Sequence, residues 1–209
     1  MKLKPFALGA ALTFSILSSV AHASTYSFYQ LTSNTTDIGN QLDMEVTQSG
    51  SNALFKFTND IGAPSSITAI YFDAPNLFES IGIQGSSSGV SFTSGANPAN
   101  LPGSSGINFT TNYSFSSTSP HGGNTANGIN TNNEWLTLVA SLTPNETFND
   151  ILAALGSGGL RVGLHVQGIN GGTSDSYVNT PSPVPLPAAA WLFGSALLGF
   201  TMLSSRKKV

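Results

Sequence analysis

The stretch Leu42–Phe57, LDMEVTQSGSNALFKF, decides the fold class. Leu42, Met44 and Val46 alternate with Asp43, Glu45 and Thr47, and Phe55 and Phe57 flank Lys56. Alternation with period two puts one set of side chains on one face of an extended strand and the other set on the opposite face. Each run therefore reads as a half-buried strand, and the Gly/Ser/Asn cluster between them is turn chemistry.

The same pattern recurs along the chain. Ile107–Phe115 alternates, Leu136, Leu138, Ala140 and Leu142 share a face, and so do Leu160, Val162, Leu164 and Val166. Tyr26–Leu31 and Ile67–Phe72 are further strand candidates; the second is apolar on both faces, as a central strand would be. Many short strands joined by Gly, Asn, Ser and Pro clusters predict a mainly β fold, an antiparallel β-sandwich. Two Gly/Ser/Asn-rich connections, Gly85–Gly106 and Pro120–Asn133, are predicted to be mobile loops. One short amphipathic helix is signalled. Thr143-Pro144-Asn145-Glu146 reads as a capping box with Pro at the first helical position. Phe148, Ile151, Leu152 and Leu155 form its apolar stripe, and Gly156 is the expected stop. Its expected role is structural.

Composition narrows the function classes. Only 8 % of the 209 residues are charged, 40 % are apolar, and there is no cysteine. Disulfides, thiolate metal sites and cysteine nucleophiles are thereby excluded, and the fold must rest on a real apolar core. Between the termini stand two basic residues, Lys56 and Arg161, against ten acidic ones, a net of −8. Such a surface repels polyanions, so no nucleic acid is expected as a partner.

The two ends carry address signals. Lys2 and Lys4 precede the apolar run Phe6–Val20, and Ala21-His22-Ala23 supplies the small-x-small pattern of a signal peptidase site. A secretory signal peptide over residues 1–23, an N-terminal signal helix, is predicted, with cleavage after Ala23. At the other end, residues 188–205 contain no charge and would form a helix of roughly 27 Å, close to the thickness of a hydrocarbon core. Arg206, Lys207 and Lys208 follow as a basic cytoplasmic stop, which orients the preceding domain outward. Hydropathy thus predicts a C-terminal transmembrane helix.

Val184-Pro185-Leu186-Pro187, then Ala188–Gly194 (AAAWLFG), Leu197-Leu198-Gly199 and the basic end together resemble the PEP-CTERM protein-sorting tail. Leu186 stands where that family's Glu would be, so this is a VPLP variant of the motif. The resemblance covers residues 184–209. It implies recognition by an exosortase, a membrane-embedded processing enzyme, and release of the substrate to the cell surface or extracellular matrix. Leu160–Asn179 is similar to the closing part of other exported domains bearing this tail, which implies a shared fold rather than a shared activity.

Candidate chemistry in the middle is sparse. Gly85-Ser86-Ser87-Ser88-Gly89 matches the G-x-S-x-G elbow, with Asp150 and His165 following in Ser–Asp–His order. The elbow needs a strand, a sharp turn and a helix, whereas Val90–Thr93 reads as another strand; a loop is the preferred reading. His22 leaves with the signal peptide, His121 lies in a Gly/Asn loop, and His165 is on the polar face of its strand. Asn124, Asn127, Asn130, Asn132, Asn133 and Glu134 offer oxygens for calcium, but with one anion among them a solvated turn cluster is preferred. The sequons at Asn34, Asn108, Asn112 and Asn145 are those an Asn/Ser/Thr-rich chain contains by chance. Tyr71, Tyr113, Phe115 and Trp135 are candidates for stacking on sugar rings, though strand aromatics more often belong to cores.

The sequence therefore predicts five segments: the signal peptide (1–23), an exported β-sandwich domain (24–179), a Pro-rich spacer with the sorting motif (180–187), the transmembrane helix (188–205) and the basic end (206–209). The expected protein is exported, passes through a transient inner-membrane single-pass stage with its domain outside, and ends at the cell surface or outside the cell. Its expected role is non-enzymatic, structural or adhesive, linked to exopolysaccharide and biofilm; the alternative is a carbohydrate-binding module for exopolysaccharide. Expected partners are signal peptidase, the Sec translocon, an exosortase-type enzyme and exopolysaccharide. No catalytic set, metal or cofactor is expected.

Overall fold

The computed structural model describes residues 23–118 and 125–181. The strands are β1 (Ala23–Gln30), β2 (Leu42–Ser49), β3 (Asn52–Asn59), β4 (Ser66–Asp73), β5 (Phe78–Ser86), β6 (Phe92–Ser94), β7 (Tyr113–Ser117), β8 (Ile129–Asn130), β9 (Glu134–Leu142), β10 (Arg161–Ile169) and β11 (Thr173–Asn179). One α-helix, α1 (Phe148–Ser157), joins β9 to β10. The strands make one sheet in the order β5-β9-β3-β2-β1-β11-β10-β4-β7-β6, with β8 beside β4.

This sheet replaces the predicted sandwich of two separate sheets. The joint is β1: it pairs antiparallel with β2 over Ala23–Ser27 and with β11 over Phe28–Gln30. The two ends of the order, β5 and β6, are consecutive in the chain, so the turn between them brings the ends side by side. The result is a single mostly-β domain in the form of a near-closed β-barrel. Sandwiches and barrels both bury one face of every strand. Period-two alternation therefore cannot distinguish them, and what decides is one strand long enough to ladder with two neighbours in succession.

The alternation itself is obeyed in three dimensions. Leu42, Met44 and Val46, Phe55 and Phe57, and Leu136, Leu138 and Ala140 all point into one main core at full burial. Phe72 of β4 sits at its centre, edge-on to Phe55, Phe57 and Phe78 at centroid distances of 5.4, 6.3 and 6.5 Å. Every position of β4 is buried. Its inner residues Ile70 and Phe72 join the main core, while Ala69 and Tyr71 on the outer face join a second cluster with Leu101, Phe109 and Val178.

The second cluster corrects the reading of Gly85–Gly106 as a mobile loop. Gly85 and Ser86 end β5, Phe92–Ser94 is β6, and residues 95–112 form a strap over the outer face of β4, β10 and β11. Nor is Ile107–Phe115 one strand: Ser104–Ile107 is a 3-10 turn, and β7 begins at Tyr113. The strap is keyed by Leu101, which fills the space over Gly163; a Cβ on Gly163 would lie 2.5 Å from Leu101 Cδ2. Tyr71 Oη donates to Pro98 O at 3.0 Å, and Arg161, paired with Asp73, donates to the carbonyls of Ile107 and Asn108 while lying over the Phe109 ring. Gly163→Val is expected to displace Leu101 and destabilise the domain by about 1–3 kcal/mol. Hydrogen exchange should then accelerate across residues 95–112 while β2, β3 and β9 keep their protection; uniform acceleration would show that the strap is not a separable layer.

Helix α1 starts later than predicted. Its N-cap is Thr147, not Thr143: Thr147 Oγ1 accepts from the Asp150 N–H, and the Asp150 carboxylate accepts from the Thr147 N–H at 2.8 Å. Asn145 has φ 80°, which breaks a helix begun at Pro144, and Thr143 Oγ1 instead donates to Asn76 O. The stripe Phe148, Ile151, Leu152 and Leu155 is buried as its spacing requires, and the helix ends at Gly158 with φ 78°, two residues past Gly156.

Among the described residues no helix is long and apolar enough to cross a membrane; α1 has 10 residues. The transmembrane helix and the transient single-pass topology predicted from hydropathy thus have no counterpart in the described structure. Residues 1–22, with Ala21 and the signal helix, lie outside the described residues. So do the sorting motif Val184–Pro187, residues 188–205 and the basic stop Arg206, Lys207 and Lys208. Ala23 is described and exposed, as the first residue of β1.

Candidate functional site

Alternation along β9 sends Leu136, Leu138 and Ala140 inward and therefore Trp135, Thr137 and Val139 outward. The same rule on β3 turns Lys56 and Thr58 outward, and on β2 Asp43 and Glu45. Register places these in rows: Asp43 faces Thr58, which faces Trp135; Glu45 faces Lys56, which faces Thr137, which faces Gly85. Gly85 has no side chain, so the far edge of the indole reaches over it; a Cβ there would lie 3.8 Å from Trp135 Cη2 and Cζ3. An aromatic over a glycine in an edge strand shields the backbone that the glycine leaves bare. The Lys56 ammonium stands over the same ring, 5.9 Å from its centroid, a cation–π approach. Among the described residues, no carboxylate lies within ion-pair distance of Lys56.

The four aromatics nominated for sugar stacking do not form a row. Tyr71 and Phe115 are buried at 0 % and 2 % exposure, and burial pushes the Tyr71 hydroxyl up to about 12. Tyr113 packs edge-on to Phe78 and donates its hydroxyl to Phe78 O at 2.7 Å. Trp135 alone of the four sits on the outer face of the β5–β9–β3–β2 layer.

The nominated catalytic trio is not assembled. Ser87, the central serine of the elbow match, lies in the turn after β5, followed by β6 rather than a helix. Its Oγ accepts from Trp135 N at 3.0 Å and donates to Trp135 O at 3.3 Å, tying the turn to β9. The Asp150 carboxylate is engaged in capping α1, and its hydrogen bonds from the Thr147 hydroxyl and N–H lower its pKa. His165 lies mid-strand in β10, opposite Ala69 of β4 and Ser176 of β11. The calcium cluster is likewise committed locally: Glu134 Oε2 accepts from the Asn130 N–H and Nδ2, and Asn127 Nδ2 donates to Thr118 Oγ1. Asn124 and His121 lie outside the described residues. Among the described residues no three His, Asp or Glu side chains converge as metal ligands.

Two clefts of about 430 Å³ each flank the loop Asp60–Ser65. One is lined by uncharged groups, including Ser65, Asn130, Thr131 and Asn132; the other by Asp37, Asn40, Asp60 and Ile61 among others. Gln41, which lines the second cleft, belongs to a buried amide network. Gln41 Nε2 donates to Asn59 Oδ1 at 2.8 Å, Gln41 Oε1 accepts from Ala63 N, and Asn59 Nδ2 donates to Ile129 O. These groups are engaged in holding the loop, and neither cleft presents a convergent acid–base pair. Asp43, near this end, has its pKa raised by burial and by the like charge of Asp60.

One carboxylate was missed by the sequence reading. Asp175 of β11 is 1 % exposed and accepts four hydrogen bonds, from Gln30 Nε2, Thr32 Oγ1, Asn34 N and Thr35 N, at 2.8–2.9 Å. Burial raises its pKa, but these donors outweigh burial and the net displacement is downward. Its partners are about 140 residues away in the chain, so no local signal marked it.

Burial holds the His165 imidazole below its ordinary pKa, against the opposing charge of Asp175. The unfolded chain then takes up the proton first. Stability is full above about pH 6.5 and falls as pH drops through the lowered folded value. The melting temperature is expected to decline as pH falls below about 6.5, and His165→Gln should remove that first phase. The later acid loss from Asp175, which begins near its ordinary value, should remain. An identical profile in the variant would refute the assignment.

The chain matches no protein-family model, no curated protein and no solved structure.

Proposed function

We propose that the chain is an exported, non-enzymatic structural or adhesive protein of the cell envelope or extracellular matrix, delivered by a PEP-CTERM-type sorting signal that an exosortase processes. The observation that carries this reading is the order Val184–Pro187, Ala188–Gly194, Leu197–Gly199 and Arg206–Lys208. The barrel is compatible with trimming at both ends. Cleavage after Ala23 removes one pair of the β1–β2 ladder, Ala23 with Thr47, and leaves the rest. Thr180 closes the described domain by donating its N–H and hydroxyl to Ser27 O, ahead of the sorting motif. The non-enzymatic part rests on Ser87 and Asp150, which are engaged in tying a turn and capping α1 rather than converging with His165.

Mass spectrometry of the mature protein, from a host with and without its sorting enzyme, tests the proposal. The expected species starts at Ser24 and lacks the C-terminal segment when the enzyme is present. A chain retaining both Met1 and Val209 would overturn it. A hydrolytic activity abolished by one polar substitution would overturn the non-enzymatic part.

A carbohydrate-binding module is the second reading, favoured by the outward Trp135 with its neighbouring Lys56, Thr58 and Thr137.

A further inference from the structure

We infer that the outer face of β2, β3, β9 and β5 is a stacking platform for a neutral polysaccharide, centred on Trp135. The inference rests on the second reading above and specifies its site and ligand class. A pyranose with equatorial hydroxyls offers two surfaces: a flat face of C–H bonds and a rim of donors and acceptors. The platform offers the complement of both. The indole supplies the apolar surface, half-buried because its edge rests over Gly85, and so held in one position at little further entropic cost. Around it stand the Thr58 and Thr137 hydroxyls, the Lys56 ammonium and the Glu45 carboxylate. None of these side chains makes a hydrogen bond to another described residue, although each lies on a regular strand whose backbone is fixed by its ladder. Lys56 is the cation left outside any ion pair among the described residues, since Arg161 is held by Asp73.

Charge selects among sugars. Lys56 is outnumbered by Asp43 and Glu45 on the adjacent strand, and the region between the termini carries a net of −8. A uronate or sulfated polymer would meet a repulsive field, whereas a neutral glycan can accept from Lys56 and donate to Glu45 without charge repulsion.

Cellohexaose serves as the probe and an oligogalacturonate as its anionic control, with the full chain carrying Trp191→Phe so that Trp135 is the one indole reporting. Saturable change in Trp135 emission with cellohexaose, and not with the oligogalacturonate, is expected. Trp135→Ala, followed by calorimetry, should weaken binding at least about tenfold. Thr137→Val and Lys56→Gln keep the indole and the fold, and each should weaken binding several-fold at unchanged melting temperature. Absence of saturable binding, binding unchanged in Trp135→Ala, or binding of the oligogalacturonate alone would overturn the platform. Binding lost in Trp135→Ala together with shortening of bound cellohexaose would support the platform while overturning the non-enzymatic reading.

Discussion

Asp175→Ala is expected to lower the unfolding free energy by about 3–4 kcal/mol. The carboxylate is buried and receives two backbone N–H groups, Asn34 and Thr35, as well as the Gln30 amide and the Thr32 hydroxyl. Truncation leaves all four donors without their acceptor, and the backbone pair cannot turn away to find another. Water entering from the Asn34 side recovers part of the loss, which keeps the figure below the sum of four charged hydrogen bonds. Asp175→Asn retains one acceptor oxygen and sets an NH₂ group against the remaining donors, so it should also be clearly destabilising. Urea denaturation at neutral pH measures both. A change under about 1 kcal/mol in Asp175→Ala would mean that residues 31–37 rearrange freely, and that the carboxylate does not anchor them. Against a total of 5–15 kcal/mol for a typical domain, the expected loss is large for a residue with no part in the main core.

Phe72→Ala should cost about 3–5 kcal/mol through the void it leaves among Phe55, Phe57 and Phe78. β4 is covered on both faces, so neither solvent nor a neighbouring strand can collapse into the gap. Phe72→Leu fills most of the volume and should cost less, losing chiefly the edge-on ring contacts. Phe55→Ala removes the other member of the tightest pair, at 5.4 Å. The double variant should therefore be less destabilised than the sum of the singles. Strict additivity in the chemical denaturation cycle would show that the two rings do not share a cavity.

These residues differ in how far the sequence announces them. Phe55, Phe57 and the β9 leucines are announced by their own neighbours, because a strand's side chains alternate whatever the topology. Phe72 is announced less fully: an apolar run on both faces signals double coverage, but not that residues 95–112 supply the outer cover. The helix stripe was legible and its start was not. Thr143-x-x-Glu146 and Thr147-x-x-Asp150 both satisfy the capping pattern, and the contact of Thr143 with Asn76 O, far off in the chain, selects the second. Trp135 was legible as a candidate aromatic. That it faces outward while Tyr71 and Phe115 do not follows from which face of each layer meets the core and the strap.

By itself the sequence left β5, β8 and β11 unmarked, but it determined β1 to β4, β9 and β10 with most of their inward residues, the helical stripe, the acidic and cysteine-free character and the tail's resemblance to a sorting signal. Each of these is a property of neighbours within a few positions, where backbone period and side-chain chemistry act directly. Only the tertiary structure decided that β1 belongs to both halves of one near-closed barrel. It alone decided that a Gly/Ser-rich stretch is a packed strap keyed into Gly163, that Asp175 gathers the chain near β1, and that Trp135 and Lys56 share an outer face. These depend on pairing between segments far apart in the chain. Local pattern permits many such pairings, and the joint burial of all the apolar faces selects one.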